Sequence, residues 1–493
     1  MSNKALRAIL EHVDIIKIYG SQDVSVQKLC DNSKVCISES LFFARSGSKY
    51  NGINFVKDAI QHGAIVIVTE CSYDSSFGAV SWIQVKDIKQ ALFQISSNFY
   101  DHPERSMHLI GITGTNGKTT TAYMLQSLLV SQGINCGLIS TVEICGRTFK
   151  EKAVLTTPSI VALMESLAHL LNDGCDWVVM EVSSHALEQD RVWGLKYDGV
   201  IFTNLTQDHL DYHHNMENYF AAKCKLFESY LHSDGWTVIN TDDDYGKRLY
   251  HLLKEQAFGF GFYPPTNILL SEAQLDAQGG EVLMNLPSHK IKLKLPLLGT
   301  HNLYNAAAAL LAAWHLRLDI DKALNALGQF QGVMGRMETF AFDGKQIIVD
   351  FAHTPDGLEK VLRCLRPLVH TKLWVVFGCG GERDRTKRLL MTQLVADWAD
   401  KFILTKDNPR CENPEQIFAD MLVGLSTDKE YWKIPDRKEA IRYALDHAQE
   451  TDIVLIAGKG HEQYQDENGV KIPFSDQDEI KKYMQSMLIQ CNP

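Results

Sequence analysis

The sequence predicts an α/β protein of three domains: a mixed α/β block over residues 1–104, a central block over 105–335 on a mainly parallel sheet, and a smaller Rossmann-like α/β block over 336–493. Three observations predict it. A chain of 493 residues is too long for one ordinary core, and typical domain sizes divide it into about three. From residue 107 onward, short apolar runs alternate with longer helical stretches, the order of strands and crossover helices in a parallel sheet covered on both faces. That alternation pauses at a helical run over 302–316 and begins again after Gly335-Arg336-Met337-Glu338.

Taken in order, the first block carries AIVIV at 64–68, whose unbroken apolar character reads as a buried strand. It ends at the polar DHPERS of 101–106. The central block reads HLIGI, TAYMLQSLLVSQG, GLIST, WVVMEV, GVIFTN and WTVIN, and closes on the helical NLYNAAAALLAAWHL. The last block reads KQIIVDFAHTPDGLEKVLRCL, KLWVVFG, KFILTKDNPR and DIVLIAGKG. Open parallel sheets bind ligands beyond the carboxyl ends of their strands, so the polar residues after each apolar run are the candidate site.

Composition narrows the function. Hydrophobic residues make up 45% and charged residues 22%, as in ordinary globular protein. The net charge of -11 comes from 49 basic and 60 acidic residues without a long single-sign run. That excludes a nucleic-acid binder, which needs a concentrated basic surface. The 11 cysteines are scattered, with no CxxC pair and no zinc spacing, so a reducing compartment is expected. The N-terminal stretch has no uninterrupted apolar core and no later run spans a bilayer without charge, so the expectation is a cytoplasmic protein without membrane insertion.

The strongest motif is LIGITGTNGKTTTAYML. A strand ends at Ile112, a small-residue loop follows through Gly114, Thr115, Asn116 and Gly117, and Lys118 opens a helix with Thr119 and Thr120 behind it. Glycines let backbone N–H groups approach phosphate oxygens, the helix N-terminus adds partial positive charge, and Lys118 adds a full one. Thr119 is placed to hold Mg²⁺. The general pattern G-x-x-x-x-G-K-[ST] is matched in its second half, since Ile112 stands where a glycine is usual; a plain Gly-rich turn is the competing reading. Glu181 follows WVVM at a strand end, a usual place for a metal-binding carboxylate. GVIFTN runs out into Asn204, Asp208, His209 and Asp211, of which Asp208 could instead cap a turn.

The segments TGTNGKTT, MEVSSHAL, TNLTQDHLDYH, AAKCKLF, GTHNLYNAAAA and VDFAHTPDGL stand in an order and spacing that resemble the Mur ligases. The likeness runs along nearly the whole chain, is least close in the N-terminal block, and is strongest to members that add the third residue of the muramyl peptide. The resemblance implies a uridine-binding N-terminal domain, a central ATPase domain and a C-terminal amino-acid-binding domain. It further implies that 114–120 hold ATP, with Lys118 on the γ-phosphate, and that Thr119, Glu181 and His209 hold Mg²⁺. Lys223 in AAKCKLF would be carbamylated, which turns a cationic amine into an anionic metal ligand; Lys225 is the alternative in register, and a solvated helix lysine is the plain reading of either. Asn302 and Asn305 resemble adenine-side residues, with helix capping open for Asn302. Arg336, Asp350 and His353 resemble groups that closure of the C-terminal domain brings onto ATP.

The resemblance reaches both ends of the substrate set. CDNSKVCISESLFFARSGSKYNG is similar to the family's uridine signature, with Ser33 as the contact, although Asn32-Ser33-Lys34 and Asn51-Gly52 depart from its acidic-Ser-Arg and Asp-Gly elements; a plain turn is the rival. Thr156, Thr157, Ser183, Gln189 and Arg191 would meet the UDP-muramyl dipeptide, the arginine offering a fork of donors to an anion. Arg383, Asp407, Asn408, Pro409, Arg410, Gly458 and Glu462 would take the incoming amino acid. The resemblance implies that the Asp-Asn-Pro-Arg box marks meso-diaminopimelate rather than lysine, and the chemistry agrees, since a distal carboxylate invites an arginine and a distal ammonium an acid such as Glu462. The expectation is an ATP-dependent monomeric ligase acting through an acyl phosphate on UDP-N-acetylmuramoyl-L-alanyl-D-glutamate. A folylpolyglutamate synthetase and a nucleotide-driven switch are rivals that leave the Asp-Asn-Pro-Arg box unexplained; a silent UDP-sugar binder is a third, against which Lys118, Glu181 and His209 speak.

Overall fold

A computed structural model describes residues 3–47, 51–276, 278–286, 290–426 and 428–491. The Ser48-Lys49-Tyr50 part of the uridine-like signature lies outside the described residues. The chain packs as two compact units, one of residues 1–111, 134–200 and 222–235, the other of 112–133, 201–221 and 236–493.

In the first unit the N-terminal block forms a five-stranded sheet in the order Ile15–Tyr19, Ser81–Val85, Ala64–Thr69, Ser40–Phe43, Lys28–Cys30. All pairs are parallel except the first. The predicted AIVIV strand is its centre, with Val66, Ile67 and Val68 fully buried. The same unit holds the parallel pair Cys136–Ile139 and Trp177–Glu181, extended by the antiparallel strands Glu143–Cys145 and Lys150–Lys152. Helix Ile88–Phe99 begins at Asp87, whose carboxylate accepts from Lys89 N and Gln90 N, and packs on helix Ile160–Asn172; the buried stripe Ile88, Ala91, Leu92, Ile95 and Phe99 recurs at helical spacing.

In the second unit helix Lys118–Ser131 packs against the alanine-rich Thr300–His315, where Ala306, Ala307, Ala309, Ala312 and Ala313 are wholly buried and let the two backbones approach. A meander of Ile268–Asp276, Gly279–Asn285 and Lys290–Leu295 is antiparallel and ends its sheet. Lys290–Leu295 reads KIKLKL with exposed lysines alternating with buried Ile291, Leu293 and Leu295, the period-two pattern of a half-solvated strand. The mainly parallel expectation for the central block thus holds for its middle, while both margins are antiparallel.

The last part of this unit is a six-stranded sheet ordered Glu338–Phe342, Lys345–Asp350, Ile453–Ala457, Leu373–Phe377, Lys401–Leu404, Glu430–Lys433. Its first pair is antiparallel and the rest parallel. The strand that comes last in sequence is inserted third, which creates a reversal of strand order where loops at the carboxyl ends splay apart. A buried ion pair braces the carboxyl end of the inserted strand. The side chains of Arg437 and Asp476 have no exposed surface, lie 2.8 Å apart at both Nε–Oδ1 and Nη2–Oδ2, and Arg437 Nη2 also donates to Ala457 O at 3.0 Å. Replacing Asp476 by Ala leaves a desolvated guanidinium without its carboxylate, a loss of about 3–5 kcal/mol. A fall of roughly 10 °C in the thermal midpoint is expected; a midpoint unmoved in calorimetry refutes the pairing.

Candidate active site

Strand His108–Thr113 delivers the loop to helix Lys118–Ser131. Gly114 has φ +150°, and a Cβ there would lie 1.9 Å from Thr203 Oγ1; Gly117 has φ +86°, and its Cβ would lie 2.4 Å from Asn305 Oδ1. Both positions therefore exclude a side chain. The neighbouring strand end holds the loop: Thr115 N donates to Asn204 O at 2.9 Å, Asn116 N to Asn204 Oδ1 at 2.9 Å, and Thr203 Oγ1 to Asn116 O at 2.6 Å. Ile112, where a glycine is usual, is a buried strand residue. Lys118 Nζ donates to Gly114 O at 2.9 Å and Thr115 O at 2.8 Å. Thr119 and Thr120 are buried.

The C-terminal segment meets this loop within the same unit. Arg336 Nη2 donates to Thr119 Oγ1 at 3.1 Å while its guanidinium stacks 4.4 Å over the Phe351 ring. Asp356 Oδ2 accepts from Asn116 Nδ2 at 2.8 Å, Thr206 Oγ1 at 3.2 Å and Lys360 Nζ at 2.8 Å. Gln207 Nε2 reaches Asp384 Oδ2 and Thr386 Oγ1, each at 3.1 Å. Asp208, buried, faces His209 Nε2 at 3.3 Å, His353 Nε2 at 3.8 Å and the buried Lys387 Nζ at 3.8 Å. Burial opposes charge on Asp208, yet His209, Lys387 and His353 together hold its carboxyl below the usual range. Burial raises the carboxyl of Asp350, which accepts from Met337 N and Ala352 N at 2.8 and 2.7 Å. Asn305 sits behind Gly117, with its Oδ1 accepting from Thr121 Oγ1 at 3.3 Å, and Asn302 Nδ2 donates to Leu298 O at 2.8 Å.

In the first unit Glu181 is fully buried; Thr141 donates to it through N at 2.7 Å and Oγ1 at 3.1 Å. Thr141 Oγ1 also touches Thr156 Oγ1 at 3.1 Å. Thr157 Oγ1 donates to Glu181 O at 2.9 Å and accepts from Ser183 N at 3.0 Å, while Arg191 binds Thr157 O at 3.0 Å and Gln189 Oε1 through Nε at 3.0 Å. The structure thus joins Glu181, Thr156, Thr157, Ser183, Gln189 and Arg191 in one network. Lys223 is buried on helix Met216–Glu228, whereas Lys225 is 41% exposed and pairs with Glu188 at 2.7 Å. Ser33 is buried at the start of a 3₁₀ turn whose cap is Asn32, accepting from Lys34 N at 3.0 Å; Asn51 caps the next turn through Ile53 N at 3.2 Å. Asparagine supplies the same capping oxygen as aspartate, so these two departures keep the local backbone.

The amino-acid candidates gather at the carboxyl ends of the last sheet. Asp407 and Asn408 are buried, and Asn408 Nδ2 donates to Glu462 Oε2 at 2.7 Å. Gly458 has φ +114° and a Cβ there would lie 2.7 Å from Asp407 Oδ2. Pro409 O closes against Gly381, where a Cβ would lie 1.9 Å away, and Arg410 Nη1 donates to Gly381 O at 2.5 Å. Arg383 lies exposed on the same loop. Buried Arg388 braces the loop through Glu412, with bonds of 2.8 Å from each terminal nitrogen.

A family model described as Mur ligase middle domain matches residues 112–313, and one described as Mur ligase, glutamate ligase domain matches 335–460. The UDP-N-acetylmuramoyl-L-alanyl-D-glutamate--2,6-diaminopimelate ligase of Thermosynechococcus vestitus is 40% identical over 470 residues, 94% of each chain. The protein of the same name from Clostridium tetani is 36% identical over 487 residues, 98% of this chain and 99% of its own. The chain belongs to the Mur ligase family. A solved structure of a ligase with that same name superposes on this Mur ligase with a TM-score of 0.66 at 30% identity, covering 99% of this chain and 100% of the other. The MurF ligase of Thermotoga maritima in complex with ADP shares the fold, with a TM-score of 0.65 at 17% identity over 94% of this chain and 98% of its own.

Sequence reading of this Mur ligase passed over Asp356, Thr203 and Lys387. Asp356 had a signal, standing three residues after His353 in the same strand-end segment. Lys387 had none, because a lysine on a helix reads as solvated.

His353 carries a pH expectation. The imidazole is half-buried, and its desolvation, outweighing the carboxylate of Asp208, pushes it down to about 4; Nδ1 lies 2.9 Å from Phe351 O, which assigns the proton to Nδ1. The folded ring binds a proton less readily than the unfolded one, so His353 withdraws stability as pH falls from the ordinary 6.5 toward about 4. NMR of a histidine-labelled protein is expected to show the His353 ring neutral and without inflection between about pH 5.5 and 7.5. An inflection near 6.5 refutes the burial argument.

Proposed function

We propose that this Mur ligase uses ATP to join meso-diaminopimelate to the D-glutamate carboxylate of UDP-N-acetylmuramoyl-L-alanyl-D-glutamate, acting as a cytoplasmic monomer in peptidoglycan precursor synthesis. The observation that carries this is identity of 36–40% along almost the full chain to ligases of that name, joined to an Asp407-Asn408-Pro409-Arg410 box at a strand end. Among the described residues no helix is long and apolar enough to cross a membrane. In this reading the blocks 1–104, 105–335 and 336–493 bind the UDP-sugar, ATP and the amino acid respectively.

The chemistry runs in two transfers. The substrate carboxylate oxygen attacks the γ-phosphorus and ADP leaves; the amine nitrogen then attacks the acyl carbon, phosphate departs with the C–O bond, and the amine gives up its proton. Little covalent work falls to the protein, so its contribution is positioning and charge. Gly114, Thr115, Asn116, Gly117, Lys118, Thr119 and Thr120 cradle the phosphates, with Lys118 exchanging its two loop carbonyls for phosphate oxygens. Asn302 and Asn305 support the nucleotide side, and Arg336, Asp350 and His353 close over it. Ser33, Thr156, Thr157, Ser183, Gln189 and Arg191 hold the UDP-muramyl dipeptide; Arg383, Asp407, Asn408, Arg410, Gly458 and Glu462 hold diaminopimelate.

Magnesium is a hard ion that takes one or two oxygens from protein and the rest from phosphates and water; by the family resemblance Thr119, His209 and the buried Glu181 are each candidates to hold it, and it would supply neutralisation of phosphoryl charge. Lys223 is the lysine suited to carbamylation, since burial of an ammonium is costly and addition of CO₂ converts the amine to an anion. Exposed Lys225 gains nothing by it. Lys223→Ala is expected to be nearly inactive and to recover partly with formate or acetate; activity lost in Lys225→Ala instead, with Lys223→Ala active, reverses the assignment.

The function itself is tested by ADP release from purified protein with ATP, the UDP-muramyl dipeptide and each amino acid in turn. Release is expected with meso-diaminopimelate and far less with lysine. Truncating one partner of a desolvated charge pair costs on the order of 2–5 kcal/mol, so Arg410→Ala is expected to lower kcat/KM for diaminopimelate by roughly 30-fold or more. An unchanged ratio of diaminopimelate to lysine use removes Arg410 from selection.

A further inference from the structure

Lys459 has no exposed surface and follows strand Ile453–Ala457. Its Nζ donates to Asn408 Oδ1 and to Glu462 Oε2, each at 2.9 Å. Asn408 Oδ1 accepts a second bond from Asp466 N at 3.0 Å, and Asn408 Nδ2 donates to Glu462 Oε2 at 2.7 Å. Lysine, amide and carboxylate close a triangle. Two donors converge on one end of the amide and an acceptor faces the other, so this arrangement decides which way the Asn408 side chain points. Exchanging its oxygen and nitrogen would set an NH₂ against an ammonium. Glu462 Oε2 is engaged twice, which leaves Oε1 for a ligand cation.

We infer that Lys459 is a positioning residue for amino-acid selection, fixing the Asn408 amide and the usable oxygen of Glu462 before the substrate arrives. The inference rests on the assignment of Asn408 and Glu462 to the incoming amino acid. Its physical content is preorganisation: an amide free to flip would offer the ligand a donor or an acceptor at random, and a carboxylate without Lys459 would turn toward Asn408 or away. Lys459 itself stays behind both groups, so substrate contact is not required of it. The competing account is that Lys459 neutralises the buried Asp407 and the half-buried Glu462 and serves the fold alone, in which case its loss acts on every substrate together.

The test uses full-length Lys459→Met and Lys459→Gln, with KM and kcat measured separately for ATP, the UDP-muramyl dipeptide and the amino acid. Wild-type protein assayed with the amino-acid panel judges the functional reading by itself; if another amino acid supports turnover, that reading falls and Lys459 is tested with that amino acid. Removing both charge-assisted hydrogen bonds of Lys459 is expected to raise the amino-acid KM about tenfold or more in Lys459→Met, with the ATP KM within about twofold of wild type. Lys459→Gln keeps a neutral donor for Asn408 Oδ1 and is expected to fall between, and it carries the test if the methionine variant does not fold. Adding Asn408→Ala to Lys459→Met is expected to cost little more than the larger single change, because both remove one arrangement. An amino-acid KM unmoved in both variants, equal shifts for all three substrates, or multiplicative effects in the double variant overturns the inference.

Discussion

The seat of the loop residues Gly114 to Gly117 on the strand end at Thr203 and Asn204 is the constraint from which the arrangement around the loop follows. Thr203 Oγ1 occupies the place of a Cβ on Gly114 and bonds Asn116 O, so the loop is shaped by a neighbour and not by its own first residue. That explains how Ile112 can stand where a glycine is usual. With the loop fixed, Lys118 opens its helix in one orientation, Asn305 backs Gly117 from the alanine-rich helix, and Asn116 is offered to Asp356.

Asp356 and Arg336 give the C-terminal segment two different grips. Asp356 holds the middle of the loop by a carboxylate shared with Thr206 and Lys360, while Arg336 reaches the hydroxyl of Thr119 with its charged plane laid on Phe351. The ordering of His353 and Lys387 around Asp208 comes from the same segment and the helix after Gln207's partners. Residues separated by some 150 positions, such as Asp208 and His353, meet because strand ends of two sheets supply them.

What was legible in the sequence was whatever a local pattern encodes. The AIVIV strand, the glycine loop between strand and helix and the renewed alternation after 335 each follow from composition over a few residues, whereas the Asp-Asn-Pro-Arg box was legible only through the family resemblance. The antiparallel margin KIKLKL has an equally plain alternation and belongs with them. Pairings across the chain were not legible: nothing near Arg437 announces Asp476, and nothing near Arg388 announces Glu412, since a buried ion pair is a tertiary decision made by two residues whose own segments look solvated. The contrast between buried Lys223 and exposed Lys225 was likewise illegible, because two residues on one helix differ only in the side they face.

The strand Lys290–Leu295 ends its sheet, and an edge strand presents unpaired backbone groups that another chain could join. Its outward residues Lys290, Lys292 and Lys294 are all exposed, with Glu281 reached by Lys292 at 2.6 Å. A second copy approaching that edge would bring its own row of lysines against these, in a low-salt solvent that screens them little. The edge is therefore guarded against self-templated aggregation by charge carried on every other residue, and apolar substitutions there would cost solubility long before they cost catalysis.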